Sequence, residues 1–257
     1  MSGSISSDIQ LKKYFIAYFD ILGYINYVNS SSDNELYLAQ TLRKIIDFIN
    51  FRDEKAEQLD DGYRHKFRCF SDNFILCSEK YDQSLIEDIA WLQFNLVIDN
   101  IFVRGSFSYG ELHIDRDFIF GKGIINAYKV ESSVAIFPRV VVDNTYTIKA
   151  YFPDDDNASK AQLTALKYSG FIKTDFDGIH FIDYLNVAKL KSDIGHWKFE
   201  NGFPAELENH KKNIVKNMAE QSKHNKLDIL QKYMWLKNYH NSFCIEHGFN
   251  DILIQLV

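Results

Sequence analysis

A run of six consecutive apolar or aromatic residues, at positions 14–19, constrains the fold of this chain more than any other feature. A short run without polar positions is typical of a strand buried on both faces, and such a strand requires packed layers on both sides of its sheet. The run ends at Asp20, which is followed by Ile21, Leu22 and Gly23. A carboxylate at the end of a buried strand is costly unless a partner compensates its charge.

The segments after this strand alternate between helical and strand-like patterns. Apolar residues at helical spacing predict a helix over roughly 35–51. Two short strands follow, over 65–70 and 73–79, separated only by Ser71 and Asp72, which indicates a hairpin with Asp72 at its tip. Leu85, Ile89, Leu92 and Leu96 mark a second helix.

A further strand begins near position 101, and its glycines, Gly105 and Gly110, indicate a bulge or a close approach of another backbone. A helix is predicted from Gly121 to about Ala135. Its expected inner face consists of Ile124, Ala127, Tyr128 and Ala135. The run "RVVVD" predicts another strand. The order β-α-β-β-α-β-α-β favours an α/β domain, a sandwich of helices packed on a sheet of mixed direction.

The pattern changes from about position 151. The segment "PDDDNASK" is predicted to be an acidic loop, and a hairpin is expected with its turn at Asp177-Gly178. Two helices follow, over about 206–222 and 225–247. We therefore expect a flexible tail over 1–12, a layered domain over 13–150, and a mainly helical region over 151–257 packed on it.

The composition limits the classes of partner. A formal net charge of −6 provides no basic surface for nucleic acid or an acidic membrane. The three cysteines form no Cys-x-x-Cys pair, which disfavours a disulfide framework. The N-terminus lacks an apolar signal segment, and no run approaches membrane-spanning length. We expect a cytoplasmic protein.

Asp20 and Asp72 are the candidate chemical centre. If the first strand lies between the two hairpin strands, both acids reach the same edge of the sheet. A divalent metal would relieve their repulsion, and oxygen ligands favour Mg²⁺ or Mn²⁺. The loop from Ile21 through Leu22 and Gly23 to Tyr24 would then expose backbone amides to phosphates. The alternative is that Asp20 caps a helix and Asp72 is a turn residue.

Four blocks of the sequence resemble the class III nucleotidyl cyclases. "FIAYFDILGY" and "FRCFSDNFIL" resemble the two metal-acid motifs of that family, "VRGSFSYGEL" its next strand, and "FGKGIINAYKVES" its glycine-led helix. The order and approximate spacing agree over residues 13–143. This resemblance implies a cyclase-like mixed sheet, with 13–150 as the catalytic domain.

The departures from that family concern the base and the phosphate. Arg68 stands where purine cyclases have a base-reading Lys, and Phe118 stands where they have a base-reading acid. Ile125 replaces an Asn that orients the ribose, and Lys129 replaces an Arg that stabilises the phosphorus centre. Without the acid, the acceptor for the adenine amino group is lost. The blocks are similar to the pyrimidine cyclases of the bacterial Pycsar antiphage systems, including "FPRVVVD" and "KYMWLKNYHNSF".

This resemblance implies an activity, its cofactors and its partners. The substrate would be UTP or CTP, with UTP favoured, and the products would be the cyclic nucleotide and pyrophosphate. Two Mn²⁺ or Mg²⁺ ions would be held by Asp20, Asp72 and the Ile21 carbonyl. Lys129 would act across a homodimer with shared active sites. The diffusible product would activate a separate effector and lead to abortive infection.

Two other questions remain open at the level of sequence. The chain could be a cyclase-like module that senses a nucleotide without turnover. Arg104 and Arg139 could each be a sheet-edge ion-pair residue or a triphosphate contact.

Overall fold

The computed structural model of the chain describes residues 9–58, 65–79, 83–115, 118–142, 156–224 and 226–255. The strands are β1 (Lys12–Ile21), β2 (Lys66–Phe70), β3 (Asn73–Ser78), β4 (Val103–Ile114), β5 (Ile119–Phe120), β6 (Val140–Val142), β7 (Ile172–Thr174) and β8 (His180–Ile182). The helices are α1 (Tyr24–Ser30), α2 (Ser32–Gln58), α3 (Gln83–Ile98), α4 (Lys122–Val134), α5 (Asp156–Tyr168), α6 (Tyr184–Asp193), α7 (Phe203–Lys223) and α8 (Leu227–His247), with a short 3₁₀ helix over Asn250–Ile252.

The described strands form one eight-stranded sheet in the order β2-β3-β1-β4-β6-β8-β7, with β5 paired to the far end of β4. The β4–β6 pair is parallel and the other pairs are antiparallel. Helices pack against this sheet, which confirms the predicted α/β class with a sheet of mixed direction. Within the described residues, no helix combines the length and apolar character needed to cross a membrane.

Strand β1 is buried on both faces, as its sequence predicts. Alternate side chains, including Phe15 and Phe19, belong to the large core shared with α2, α3 and the C-terminal helices. Tyr14, Ile16 and Tyr18 point to the opposite face, where a smaller core includes Ala127 of α4. The same alternation places Asp20 on the α4 face of the sheet.

Close backbone contacts explain the glycines of β4. A Cβ atom on Gly105 would lie 2.4 Å from the carbonyl oxygen of Tyr18, and one on Gly110 would lie 2.8 Å from the Cα of Gly123. The prediction of close approach at these glycines is confirmed. Gly110 and Gly123 let α4 lie directly on β4, and the Ser106 hydroxyl donates a hydrogen bond of 2.7 Å to the Ala127 carbonyl.

Two predictions about local structure are wrong. The predicted loop over "PDDDNASK" becomes helix α5 from Asp156 onward. The helix forms because Ala, Lys, Gln and Leu, which are good helix formers, occur from position 158 to position 163. Tyr128 was expected on the inner face of α4, but 54% of it is exposed. The buried positions of that helix include Val130 and Glu131 instead.

The C-terminal region extends the same sheet. The predicted hairpin is confirmed as β7 and β8, with Gly178 at a φ of 80° in its turn, and β8 pairs with β6. Helices α7 and α8 match the two predicted helices, whereas the sequence did not indicate α6. The predicted boundary at 150, residues 153–155 of the expected loop, and most of the predicted tail lie outside the described residues.

The polar contacts of two residues, Asn213 and Arg139, connect this region to the rest of the molecule. Asn213 of α7 donates hydrogen bonds of 2.9 and 2.8 Å to the carbonyls of Val97 and Ile98, at the end of α3. Arg139 is fully buried and forms ion pairs with Asp175 and Asp177 of the β7–β8 turn. Of the two roles left open for Arg139, the structure shows the ion pair.

A chain of buried hydrogen bonds joins α6, α7 and α8. The Ile252 carbonyl can only accept, so His240 donates to it from Nε2 at 3.0 Å. His240 Nδ1 is then the acceptor for His210 Nδ1, 2.9 Å away. His210 Nε2 accepts from the Tyr184 hydroxyl at 2.8 Å. Burial lowers the pKa of His210 well below its ordinary value and also lowers that of His240, which favours the neutral form of both rings. Every ring nitrogen of this histidine pair has a hydrogen-bond partner.

Candidate active site

The two acids predicted as metal ligands lie at the same end of neighbouring strands. Asp20 is opposite Asn73 in the β1–β3 register, and Asp72 directly precedes Asn73 in the two-residue turn between β2 and β3. The Ile21 amide donates a hydrogen bond of 2.9 Å to the Asp72 carbonyl. Backbone hydrogen bonding therefore connects two acid-bearing segments that are 52 residues apart in sequence.

The strand order that was expected to bring these acids together is wrong. Strand β1 does not lie between β2 and β3 but between β3 and β4. The acids still converge because Asp72 leads directly into β3, the strand that pairs with β1. Ser71 has a φ of 54°, which closes the turn in two residues.

Arg104 compensates the charge of Asp20. It stands opposite Asp20 on β4, and its Nε donates to Asp20 Oδ2 at 3.0 Å. Burial is the largest influence on Asp20 and raises the pKa of its carboxyl, with Arg104 acting against it. Of the two roles left open for Arg104, the structure shows the ion pair. No hydrogen bond to the other oxygen of Asp20 occurs within the described part of the chain.

Glu131 of α4 is a third acid at this site, and the sequence analysis did not single it out. Its Oε1 lies 2.8 Å from Arg104 Nε, and only 3% of its side chain is exposed. The single Nε–H of Arg104 is directed at Asp20, so Glu131 Oε1 is buried without a hydrogen-bond partner among the described atoms. Burial raises the pKa of Glu131 to about 7.

The signal for Glu131 was present in the sequence. It is the last residue of "AYKVE" within the block "FGKGIINAYKVES", which was used only to identify the helix. Its position beside Asp20 depends on the close packing of α4 on β4 at Gly110 and Gly123. The spacing of residues along the chain does not encode that packing.

Asn73 and Tyr18 orient the second acid. Asn73 Nδ2 donates to Asp72 Oδ1 at 2.8 Å, and Asn73 Oδ1 accepts from the Tyr18 hydroxyl at 2.5 Å. The second carboxylate oxygen of Asp72 has no hydrogen bond to a described residue. The Asp72 side chain is thus held through one oxygen, and the other is available to a ligand.

The loop after Asp20 differs from its expected form. The amides of Ile21 and Leu22 were expected to be exposed to phosphates, but they donate to the carbonyls of Asp72 and Phe102. Gly23 has a φ of 72° and precedes α1, which begins at Tyr24 and was not predicted. Ile21, Leu22 and Gly23 line one side of a cleft of about 940 Å³. Helices α7 and α8 form the opposite side.

Lys232 of α8 is a second site residue that the sequence analysis did not identify. It lines this cleft and interacts electrostatically with Asp20, Glu131 and Arg104. Burial is the largest cause that lowers the pKa of its ammonium group, and the positive charge of Arg104 acts in the same direction. Lys232 went unnoticed because its segment, "KYMWLKNYHNSF", was considered only as a part of a sequence resemblance.

Arg68 and Phe118, the predicted base contacts, lie together at the β4–β5 hairpin. Arg68 donates two hydrogen bonds to the Asp115 carbonyl and one to the Phe67 carbonyl. The Phe118 amide donates to Asp115 Oδ1, and its ring lies 5.0 Å from that of His113. Arg68 is two strands and two residues from Asp20, about 10 Å across the sheet and about 7 Å along it.

Lys129 lies on α4, but it does not face Asp20 and Asp72. Its side chain is exposed, and it forms no ion pair with another described residue. Glu131, two positions further on, is buried beside Arg104. Residues two apart on a helix point in nearly opposite directions, so Lys129 points away from the acids of its own chain.

The acids fit a divalent cation in type but not as a complete set of ligands. Within the described ranges, Asp20 and Asp72 each keep one oxygen that accepts no hydrogen bond, and Glu131 has a buried oxygen without a partner. These are hard oxygen donors of the kind that Mg²⁺ and Mn²⁺ prefer. However, no three His, Cys, Asp or Glu side chains among the described residues are close enough to form a metal site. Arg104 lies between Asp20 and Glu131.

Comparison with known proteins identifies no family. No family model matches the sequence, and no curated protein matches it. A solved structure of a bacterial light-regulated adenylyl cyclase aligns with the chain at a TM-score of 0.35 and 11% sequence identity. The alignment covers 55% of this chain and 45% of the cyclase, so the chain spans less than half of that protein's length. A TM-score of this size does not establish a shared fold or a shared function.

Proposed function

We propose that this protein is a metal-dependent nucleotide cyclase. It would convert a pyrimidine nucleoside triphosphate, UTP or CTP, into the 3′,5′-cyclic monophosphate and pyrophosphate. The observation that carries the proposal is the convergence of Asp20 and Asp72, linked by the hydrogen bond from the Ile21 amide to the Asp72 carbonyl. Asp20 directly precedes the loop of Ile21 to Gly23, and that loop lines a cleft large enough for a nucleotide.

Asp20 and Asp72, with the Ile21 carbonyl, would hold two Mg²⁺ or Mn²⁺ ions. When bound, these ions supply positive charge to the triphosphate and favour ionisation of the 3′-hydroxyl. The 3′-oxygen would attack the α-phosphorus and its proton would pass to water, while the bond from the α-phosphorus to the bridging β-phosphate oxygen would break to release pyrophosphate. Arg104 holds Asp20 in position through its hydrogen bond to Oδ2.

The pyrimidine preference rests on Phe118. Phe118 provides an apolar ring where an acid would read the adenine amino group. The donors of Arg68 are engaged by backbone carbonyls, which leaves Arg68 to hold the β4–β5 hairpin rather than to read a base by itself. Which pyrimidine is used follows only from the sequence resemblance, which favours UTP.

An exposed apolar surface around α4 supports a homodimer with shared sites. Ile125 and Tyr128 of α4, and Phe120 two residues before this helix, are between 53% and 63% exposed. Apolar side chains grouped in this way are typical of a surface that binds another protein. Lys129 projects from the same helix, so a partner subunit would bring its Lys129 to the acids. The role of the product as a messenger to an antiphage effector is proposed from the sequence resemblance alone.

The test is incubation of the purified protein with Mn²⁺ and each of the four ribonucleoside triphosphates, followed by mass detection of cyclic products. We expect cyclic UMP or cyclic CMP from the wild type. Asp20→Ala and Asp72→Ala should each lose activity at least 100-fold, because each removes a charge-bearing ligand. Asp193→Asn, which alters an exposed acid paired with Lys189, is the matched control and should retain activity. Absence of a cyclic product, or a predominance of cyclic AMP, would refute the proposal.

Two observations favour a second function. Arg104 already neutralises Asp20, and the described acids do not form a three-ligand metal cluster. Both features suit a module that binds a nucleotide without turnover. In that case, calorimetry would detect saturable binding of UTP or CTP, while no cyclic product would form even at enzyme concentrations comparable to substrate.

A further inference from the structure

We infer that Lys232, on the C-terminal helix α8, binds the terminal phosphates of the substrate. The inference rests on the proposed function, because it assigns a ligand to the cleft beside Asp20. It gives the C-terminal helices a direct part in the site, since they provide the side of the cleft that faces Ile21, Leu22 and Gly23. The ligand is the polyphosphate part of a nucleoside triphosphate.

The first argument is the position of Lys232. It lines the cleft together with the loop after β1, and it is close enough to Asp20, Glu131 and Arg104 to interact with all three charges. Asp20 and Asp72 mark the end of β1 where the reacting phosphate would lie. A cation on the cleft side of Asp20 is therefore placed for the phosphates that extend away from the reacting one.

The second argument is the state of the Lys232 ammonium group. The group is partly buried, yet it makes no hydrogen bond or ion pair within 4 Å to any residue that the structure describes. An ammonium group removed from water without a close partner is unfavourable. Asp228, one turn earlier on the helix, and Glu131 attract it only at longer range. A bound phosphate would supply the missing acceptor.

The third argument is the distribution of charge in the cleft. Lys216 of α7, Lys226 before α8, and Lys232 all line the side formed by the C-terminal helices. The same side also carries Glu220 and Asp228, and the facing side carries Asp33 and Asp99, so the cleft as a whole is not a simple anion site. A mixture of acids and lysines suits a polyphosphate that arrives with a divalent cation, because the acids attract the cation and the lysines attract the phosphate oxygens.

The experiment measures binding of inorganic tripolyphosphate with Mg²⁺ to the full-length protein by calorimetry. Loss of a charge-assisted hydrogen bond should weaken binding about 10- to 100-fold in Lys232→Gln. Lys232→Arg keeps the charge and should restore most of the affinity. Lys212→Gln removes an exposed charge from α7 outside the cleft and should leave binding unchanged. Circular dichroism would verify that each variant is folded.

The outcomes separate this inference from the proposed function. Equal tripolyphosphate affinity in the wild type and Lys232→Gln would overturn the inference, as would a wild type that does not bind tripolyphosphate. If Lys232→Gln loses binding while the wild type forms no cyclic product from any triphosphate, the phosphate site stands and the cyclase proposal fails. If cyclic product forms with the same KM in both proteins, the cyclase proposal stands and the role of Lys232 is refuted.

Discussion

The buried histidine pair predicts a specific loss of stability in mild acid. His210 and His240 are neutral in the folded protein, and His210 is enclosed by Tyr184 and His240 with no exposed surface. A proton added to His210 at Nε2 would force the Tyr184 hydroxyl to change from donor to acceptor, and it would place a positive charge on a ring that has no exposed surface. The folded state therefore resists protonation of a residue that the unfolded state protonates readily.

The sign and size of this loss of stability follow from the linkage between proton binding and folding. Burial lowers the pKa of His210 in the folded state, so below about pH 6.5 the unfolded chain binds more protons and stability falls as the pH falls. Between pH 7.5 and pH 5.5, this difference costs about 1.4 kcal/mol for His210 alone. The pKa of His240 is also lowered, chiefly by burial, so His240 acts in the same direction.

The assay is urea unfolding at pH 7.5 and pH 5.5, followed by tryptophan fluorescence and linear extrapolation of the free energy. Other groups also titrate in this range, so the informative quantity is the pH-dependent loss in the wild type minus that in His210→Asn. We expect a difference of about 1.4 kcal/mol, the most that one histidine can contribute between these two pH values. His196→Asn, at an exposed position, should lose as much as the wild type. A His210→Asn protein with the wild-type pH dependence would refute the reasoning.

Two further predictions concern stability. Gly105→Ala should destabilise the protein by about 3 kcal/mol or more, because the new Cβ would lie 2.4 Å from the Tyr18 carbonyl oxygen. In Gly178→Ala the new Cβ would have no neighbour within contact distance, so only the positive φ costs stability, about 1 kcal/mol. Thermal unfolding gives this ranking, and equal losses of stability would contradict it. Arg139→Met should lower the free energy of unfolding by about 3 to 5 kcal/mol, because it leaves Asp175 and Asp177 without their cation. Lys173→Met breaks a more exposed ion pair and should lower it by less than about 1 kcal/mol, as measured by urea unfolding. A mild effect of Arg139→Met would show that the two acids find other partners.

Local patterns in the sequence predicted most elements of the first half. The buried run of β1, the Ser71-Asp72 hairpin and helix α3 all follow from hydrophobic periodicity and turn length, which depend on neighbours in the chain. Helix α1 was missed because its seven residues are too few to show a clear period. The strand order was wrong because periodicity identifies a strand but not its partner.

In the candidate site too, residues next to a recognisable strand could be predicted, whereas residues placed by tertiary packing could not. Asp20 and Asp72 could be predicted because each acid directly follows or precedes an apolar strand. Glu131 and Lys232 could not, since their positions depend on how α4 packs on β4 and how α8 packs beside the loop after β1. Arg104 was noticed, but its partner was not, because the cross-strand register that places it opposite Asp20 is a tertiary property.

The pairing of β8 with β6 has a consequence for how this protein can be dissected. Val140, Val141 and Val142 are buried, and β6 receives β4 on one side and β8 on the other. A chain shortened at about residue 150 would leave β6 with an open apolar edge, the kind of edge that recruits strands from other molecules. We expect such a fragment to accumulate as insoluble material, so the C-terminal region cannot be exchanged as an independent module.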